Sequence, residues 1–325
     1  MRARTWWEFK AAIFLGIAYL SAFVGGIDFF AAWPAFVACL VSIIPLASYV
    51  CVINDITDEQ EDRTAGKSNT MQGKSSFLKA GWVLACILGG LICFFVFFSG
   101  NRSAGLLYAA NWIIFTLYSV QPFRLKVRGA AGVVADACGG TAFPALWCAL
   151  LANPEAQTTF ILALAVWSFA FGLRGILYHQ AGDFTADRVA GVQTLAVKLG
   201  LEKLRHFVRF FVLPFELGAL AALLCMGWSA FVPLFAVAYV VTQLILWRRC
   251  GIASVAVVPR PDCRFALIKY YQLWLPLTLI LALSRGDPRY LVLFPVQLAL
   301  FPDCWRRIFY RARQVWRPAA MKRDA

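Results

Sequence analysis

Two short acidic segments of the chain share one pattern. Asp58-Glu59-Gln60-Glu61-Asp62-Arg63-Thr64-Ala65-Gly66 and Asp183-Phe184-Thr185-Ala186-Asp187-Arg188-Val189-Ala190-Gly191 both read D-x-x-x-D-R-x-A-G, and they lie 125 residues apart. Ahead of the first stand Asn54 and Asp55. Asn54, Asp58 and Asp62 recur at i, i+4, i+8, and Asp55, Asp58 and Asp62 at i, i+3, i+7, which on a continuous helix is one stripe of oxygen donors. The second segment repeats the i, i+4 pair as Asp183 and Asp187. No His or Cys is interleaved, so the donors are hard oxygens. That chemistry selects Mg²⁺, an ion that takes one or two carboxylates and leaves its other positions to water and phosphate oxygens. Asn54, Asp55, Asp58, Asp62, Asp183 and Asp187 are therefore candidate metal ligands, and two such sites facing each other suit one diphosphate. A calcium loop fits poorly, because the residues from Thr57 to Gln60 lack the alternating ligands and the glycine of an EF-hand. A single D-x-x-x-D is also what a solvated helix end with mixed charges looks like; the repetition argues against that here.

Between the acidic segments runs Gln121-Pro122-Phe123-Arg124-Leu125-Lys126-Val127-Arg128-Gly129. Arg124, Lys126 and Arg128 alternate along a short loop and could cover phosphate oxygens and stabilise a departing diphosphate. Ordinary loop charge is the other reading. Arg63, Lys67 and Arg188 follow the acidic segments, either to neutralise or cap them or as solvated charges. Tyr118 and Ser119 precede the basic loop, and Tyr118 is either a wall of a cation pocket or an interfacial anchor. Three charged residues, Asp136, Arg174 and Glu216, fall inside apolar runs, where a charge faces a cavity or a partner. Asp136 and Arg174 either line a pocket above the acidic sites or pair structurally; Glu216 receives no assignment. His179, one turn before Asp183, either faces that pocket or is a structural histidine.

The elements that hold these residues are membrane helices. Of the 325 residues 61% are hydrophobic and 15% charged, with a mean hydropathy of +0.69. A soluble domain carries about a quarter charged residues, so a soluble enzyme is excluded. Residues 29–54 are uncharged, as are 80–100 and 103–123, and each run is long enough to span a bilayer at about 20 residues. With Ala11–Ile27, Ala130–Leu151, Thr159–Tyr178, Phe207–Met226, Phe231–Trp247 and Phe265–Leu283 they make nine spans, and Tyr290–Phe301 is a short candidate tenth. The amino-terminal run resembles a signal peptide but lacks a clear cleavage site, so it counts as span one. The expected fold is an all-α polytopic bundle, one domain over 1–325, with two pseudo-twofold halves and a basic cytoplasmic tail over 303–325. The ten cysteines are scattered and suggest neither a zinc site nor a disulfide framework. The net charge of +14 concentrates in the amino terminus and the loops at 54–79, 121–129, 183–209 and 248–269. The opposite loops hold only Arg102, Arg285 and Arg289. This asymmetry turns the acidic segments toward the cytoplasm and predicts orientation rather than a nucleic-acid partner.

On these residues the chain resembles the UbiA superfamily of intramembrane prenyltransferases: Asn54-Asp55-x-x-Asp58-x-x-x-Asp62 on span two, Tyr118-Ser119 with Pro122 and Arg124-Leu125-Lys126 after span four, and Asp183-x-x-x-Asp187 on span six. The resemblance covers nearly the whole chain. It implies Mg²⁺-dependent ionisation of a prenyl diphosphate to an allylic cation and transfer of the prenyl group to a lipophilic, aromatic acceptor in the membrane. Asp58, Asp62, Asp183, Asp187 and Lys126 would carry the chemistry. Lys67, Arg63, Arg124, Lys126, Arg128, Arg188 and Tyr118 would contact the donor, and membrane lipids would surround it. Two departures stand out. Where many members have Arg-Pro, this chain has Ala65-Gly66-Lys67-Ser68-Asn69, so Lys67 would take over diphosphate contact. His179 replaces a tyrosine four residues before the second acidic pair. The alternatives are a terpene cyclase needing no acceptor, a cation transporter, and a transferase moving a phosphorylated sugar to a lipid phosphate.

Overall fold

In lipid each backbone N–H and C=O must be satisfied within its own segment, so the uncharged runs close into helices. The computed structural model describes residues 6–64, 66–189, 191–260 and 263–306. In chain order they form α1 (Trp7–Val24), α2 (Trp33–Thr57), α3 (Glu59–Thr64), α4 (Ser76–Phe98), α5 (Arg102–Ser119), α6 (Ala130–Ala152), α7 (Thr158–Gly182), α8 (Phe184–Val189), α9 (Leu195–Leu199), α10 (Leu201–Met226) and α11 (Phe231–Cys250). A two-stranded parallel ribbon follows, β1 (Ala253–Val255) paired with β2 (Cys263–Phe265) and Ser254 opposite Arg264. Then come α12 (Tyr270–Ser284) and α13 (Pro288–Leu300).

Seven of these helices, α1, α2, α4, α6, α7, α10 and α11, are long and apolar enough to cross a membrane. α5 packs along α6 and α12 along α1, so each of the nine expected spans is a helix among the described residues. The candidate tenth, α13, is a short apolar helix that opens with a 3₁₀ turn at Pro288. Of the basic tail only residues 303–306 belong to the described part; the rest of that expectation lies outside it.

α1 sits at the centre, buried from Ala11 through Ala22. α4 and α11 sit outside, where Leu88, Ile92, Phe95, Val237, Val240 and Ile245 are exposed. Apolar faces of that extent are covered by lipid rather than water, and the protein is a multi-pass integral membrane protein. Helices approach closely where a glycine leaves room: a Cβ on Gly172 of α7 would stand 2.8 Å from the carbonyl oxygen of Ala137 on α6.

Polar residues inside the spans brace the bundle. The Arg174 guanidinium donates to Glu216 through Nε to Oε2 at 2.5 Å and Nη2 to Oε1 at 2.7 Å, and both side chains are fully buried. Tyr271 donates its hydroxyl to the same carboxylate at 2.7 Å. Two further guanidinium donors reach the carbonyls of Ala256 and Ala266, and the Phe265 ring lies 4.1 Å beneath. Of the two sequence readings for Arg174, pairing holds and pocket lining does not, because the side chain is fully buried and four of its five donors are taken by Glu216 and by the residues that follow the two strands. On α2, the Tyr49 hydroxyl and Thr116 are joined at 2.7 Å.

Candidate active site

Both acidic segments are built in the same way. α2 and α7 are each 25 residues long and end on an aspartate, Asp58 at φ −104°, ψ 5° and Asp183 at φ −87°, ψ 1°. Each is followed by a six-residue helix, α3 or α8. The Asp58 and Asp183 amides donate to the carbonyls of Asn54 and His179 at 2.9 and 3.0 Å, and those of Asp62 and Asp187 donate to Asp58 and Asp183 at 2.8 Å in both cases. Gly66 and Gly191 then turn the chain at φ +62° and +72°, a conformation that glycine adopts without strain. The expected single stripe over 54–62 is corrected by this geometry. The helix stops at the first aspartate and restarts, so Asp62 and Asp187 belong to a separate turn instead of continuing the axis of the long helix.

Side chains seven residues after each second aspartate fix it. The Asn69 amide donates to Asp62 Oδ2 at 2.8 Å, and Thr194 hydrogen-bonds Asp187. Sequence reasoning missed Asn69 and Thr194; the equal offset in both halves was the available signal. Asn54 accepts from the Ser119 hydroxyl at 2.5 Å. Asp55 is buried and its Oδ2 receives both the amide and the hydroxyl of Thr70, which makes it an anchor for the loop after α3. At the matching place in the second half Gln180 accepts from the Ala196 amide at 3.3 Å.

The cations gather at the first aspartate. Lys126 and Arg124 both donate to Asp58 Oδ1, and Arg124 also reaches Glu61 at 2.7 Å. Among the described residues Asp58 Oδ2 accepts no hydrogen bond. Lys126 sits on a 3₁₀ turn, Leu125–Val127, that Arg124 enters at φ +38°. Burial pushes its ammonium below the ordinary lysine value, while the Asp58 contact works against that. Asp183 is exposed and forms no ion pair among the described residues. Burial and the neighbouring Asp183 together raise the Asp187 carboxyl above the ordinary aspartate value. Lys67, in the first half, lies within electrostatic range of Asp187 in the second, so the two segments share one space. The other expected donor contacts are spread out. Arg63 and Arg188 are exposed, and Arg63 acts on Glu59; Arg128 donates to the Pro122 carbonyl at 2.6 Å.

Below this mouth Tyr118 senses both Asp58 and Asp136, and Asp136 senses Lys10 and His179. An apolar groove between α1, α2 and α4, lined by Trp7, Ile44, Cys51 and Trp82, ends at Asp55 and Thr70. Among the described residues no three acidic, His or Cys side chains close on a metal by themselves.

Both the sequence and the fold have counterparts among known proteins. The model of the UbiA prenyltransferase family matches residues 11–256. The chain is 29% identical over 205 residues to a lycopene elongase/hydratase of Halobacterium salinarum, covering 62% of this chain and 70% of that protein. A UbiA homologue of Archaeoglobus fulgidus bound to DMAPP and Mg²⁺ superimposes with a TM-score of 0.61 at 16% identity, covering 93% of this chain and 97% of the other. The apo UbiA homologue of Aeropyrum pernix gives 0.55 at 16% identity, covering 85% and 97%. These structures share the fold, and the family match spans most of the sequence. The chain belongs to the UbiA prenyltransferase family and is a membrane-embedded prenyltransferase.

Proposed function

We propose that the enzyme ionises an allylic prenyl diphosphate between its two acidic segments and transfers the prenyl group to a lipophilic acceptor inside the bilayer. The observation that carries this reading is the repeated helix–aspartate–helix geometry with Lys126 beside one of the two aspartates. Asp58, Asp62, Asp183 and Asp187 offer only oxygen donors, Asp58 keeps one oxygen open, and Asp183 is accessible. Such a set fits Mg²⁺, which completes its shell with water and phosphate. When bound, the ion would offset charge on the diphosphate as the carbon–oxygen bond opens.

The protein's own groups then have distinct tasks. Lys126 and Arg124 lie where charge develops on the leaving diphosphate, and Lys67 reaches across from the first half to the second. Asn69 and Thr194 hold Asp62 and Asp187 in orientation. Tyr118 stands at the boundary between the charged mouth and the apolar interior, where a ring face stabilises an allylic cation and water is excluded. The groove ending at Asp55 and Thr70 offers a lipid-side seat for an isoprenoid tail. The basic loops orient the mouth to the cytoplasm, and residues 1–325 act as one domain.

The acceptor is the finer question. An aromatic acceptor follows from the family resemblance. A linear polyene acceptor is favoured by the similarity to a lycopene elongase/hydratase, and a cyclase would need no acceptor at all. The deciding experiment incubates purified protein with Mg²⁺ and C5 to C20 allylic diphosphates, alone or with aromatic or polyene acceptors. Diphosphate release and product mass are read together. Release coupled to a prenylated acceptor supports transfer, a cyclic hydrocarbon without acceptor supports the cyclase, and no release from any donor overturns the reading.

A further inference from the structure

Asp136 lies inside α6, two residues ahead of the wider π-turn Cys138–Ala142. A carboxylate at that depth is expensive and needs a reason. Four elements bring charged or polar groups to it. Lys10 comes from the π-turn Trp7–Ala11 of α1, Tyr118 from the end of α5, Thr141 from α6 itself, and His179 from the last turns of α7. Lys10 is fixed by two of its three donors, to the Gly140 carbonyl at 2.7 Å and to the Thr141 hydroxyl at 3.2 Å. Gly140 separates the opposite charges: a Cβ there would stand 3.5 Å from both Asp136 Oδ2 and Lys10 Nζ. Among the described residues Asp136 accepts no hydrogen bond and closes no ion pair. Lys10, Tyr118 and Asp136 are partly exposed and His179 is exposed.

We infer that Asp136 is the base that ends the reaction, with Lys10 held close to it. The inference rests on the transfer reading above. Tyr118 lies within electrostatic range of both Asp136 and Asp58, so Asp136 shares the surroundings of the ring that an allylic cation would meet on leaving the diphosphate. In the step proposed, the donor carbon–oxygen bond breaks and its electron pair leaves with the diphosphate. A π pair of the acceptor forms the new carbon–carbon bond, which moves the positive charge onto the acceptor. The adjacent carbon–hydrogen bond then gives its pair to a new double bond, and its proton goes to a carboxylate oxygen of Asp136. If water captures that cation instead, the water oxygen forms the bond and the same carboxylate takes the proton. An ammonium beside the carboxylate favours its ionised form in poorly solvated surroundings.

The test compares Asp136→Asn and Asp136→Glu in the full-length protein, measuring diphosphate release, prenylated acceptor and free prenyl alcohol in one assay. For Asp136→Asn the expected result is about a 100-fold fall in prenylated product, the lower end of the roughly 10² to 10⁴ that a positioned general base contributes. Diphosphate release falls far less, and prenyl alcohol accumulates. Asp136→Glu recovers product to within about tenfold of wild type. Unchanged product per diphosphate released in Asp136→Asn overturns the inference, as does an equal fall of product and release in both variants, which would mark a purely structural role. If the wild type itself releases no diphosphate from any donor, the transfer reading fails first and this one falls with it.

Discussion

The two acidic segments have the same backbone and different neutralisation. In the first, Asp58 is held by Lys126 and Arg124 and the loop beyond is pinned through Asp55, Asp62 and Glu59. In the second, Asp183 is open, Asp187 carries a raised carboxyl, and Gln180 stands where Asp55 would be. The repeat gives two matched sets of donors, one beside cations and the other open. On the proposed mechanism the first half stabilises the leaving diphosphate directly, and the second provides the open anionic donors. The comparison breaks if either aspartate proves dispensable. Asp58→Ala and Asp183→Ala should each lower turnover by about a thousandfold or more, with the unfolding temperature close to wild type because neither side chain is packed in the core. Single-turnover measurements on purified variants check this. Retained activity in Asp183→Ala alone would show that the second segment is a structural echo of the first.

The long helices carrying the two segments are braced at corresponding positions, Tyr49 on α2 and Arg174 on α7, and the braces differ in kind. Removing one partner of a buried ion pair strands the other charge and costs about 3–5 kcal/mol, whereas a neutral hydrogen bond contributes about 1 kcal/mol. Arg174→Met should therefore destabilise the protein far more than Tyr49→Phe, and adding Glu216→Leu to Arg174→Met should recover much of the loss. Thermal unfolding in detergent or nanodiscs measures the difference. Similar losses for the two single variants would mean that the ion pair is well solvated despite its burial.

A finer test asks whether the equal offset of Asn69 and Thr194 means equal duty. Each orients the second aspartate of its segment, and loss of such an orienting bond lowers metal affinity or activity by about 10–100-fold. Asn69→Ala and Thr194→Ala should each raise the Mg²⁺ concentration needed for half-maximal rate by about tenfold, with kcat at saturating Mg²⁺ changed less. Unequal shifts would show that one segment binds the metal more tightly and would rank the two.

Much of this organisation was legible in the sequence. The uncharged runs gave the helices, and the D-x-x-x-D-R-x-A-G repeat gave two related segments on one side, because hydropathy and repetition are local properties. The break at Asp58 and Asp183 was not legible: i, i+4 spacing suits an unbroken helix as well as a helix, a turn and a second helix. Arg174 and Glu216 were visible as charges in apolar runs, but their pairing is 42 residues apart in sequence and depends on how α7 and α10 pack. Nothing in the sequence singled out Lys10; only the central position of α1 brings it near Asp136. Asn54 and Asp55 belonged by spacing to the metal stripe, yet the structure gives Asp55 to Thr70, a contact with a loop whose course the sequence does not specify.

The smallest expected effect concerns that loop. Glu59 receives Lys79 and the Gly73 amide, the latter at 3.0 Å, and so ties residues 66–75 to α3. Its counterpart in the second half is Phe184, which can accept neither bond, and there the chain passes directly from Gly191 to α9. The Lys79 hydrogen bond, then the Gly73 amide, hold the Glu59 carboxyl below its ordinary value. The sign follows: the fold favours the ionised form, so the tie is present above the ordinary glutamate pKa of about 4.3 and is lost as pH falls through the lowered value in the folded protein. Because the group is solvated, Glu59→Gln should change turnover less than about twofold. It should speed proteolytic nicking within 66–75 at neutral pH, and the difference from wild type should vanish toward pH 3. Equal nicking at neutral pH would assign the order of this loop to Asp55 and Thr70 alone. The first half would then hold its acidic segment as the second does, through the side chains next to the aspartates.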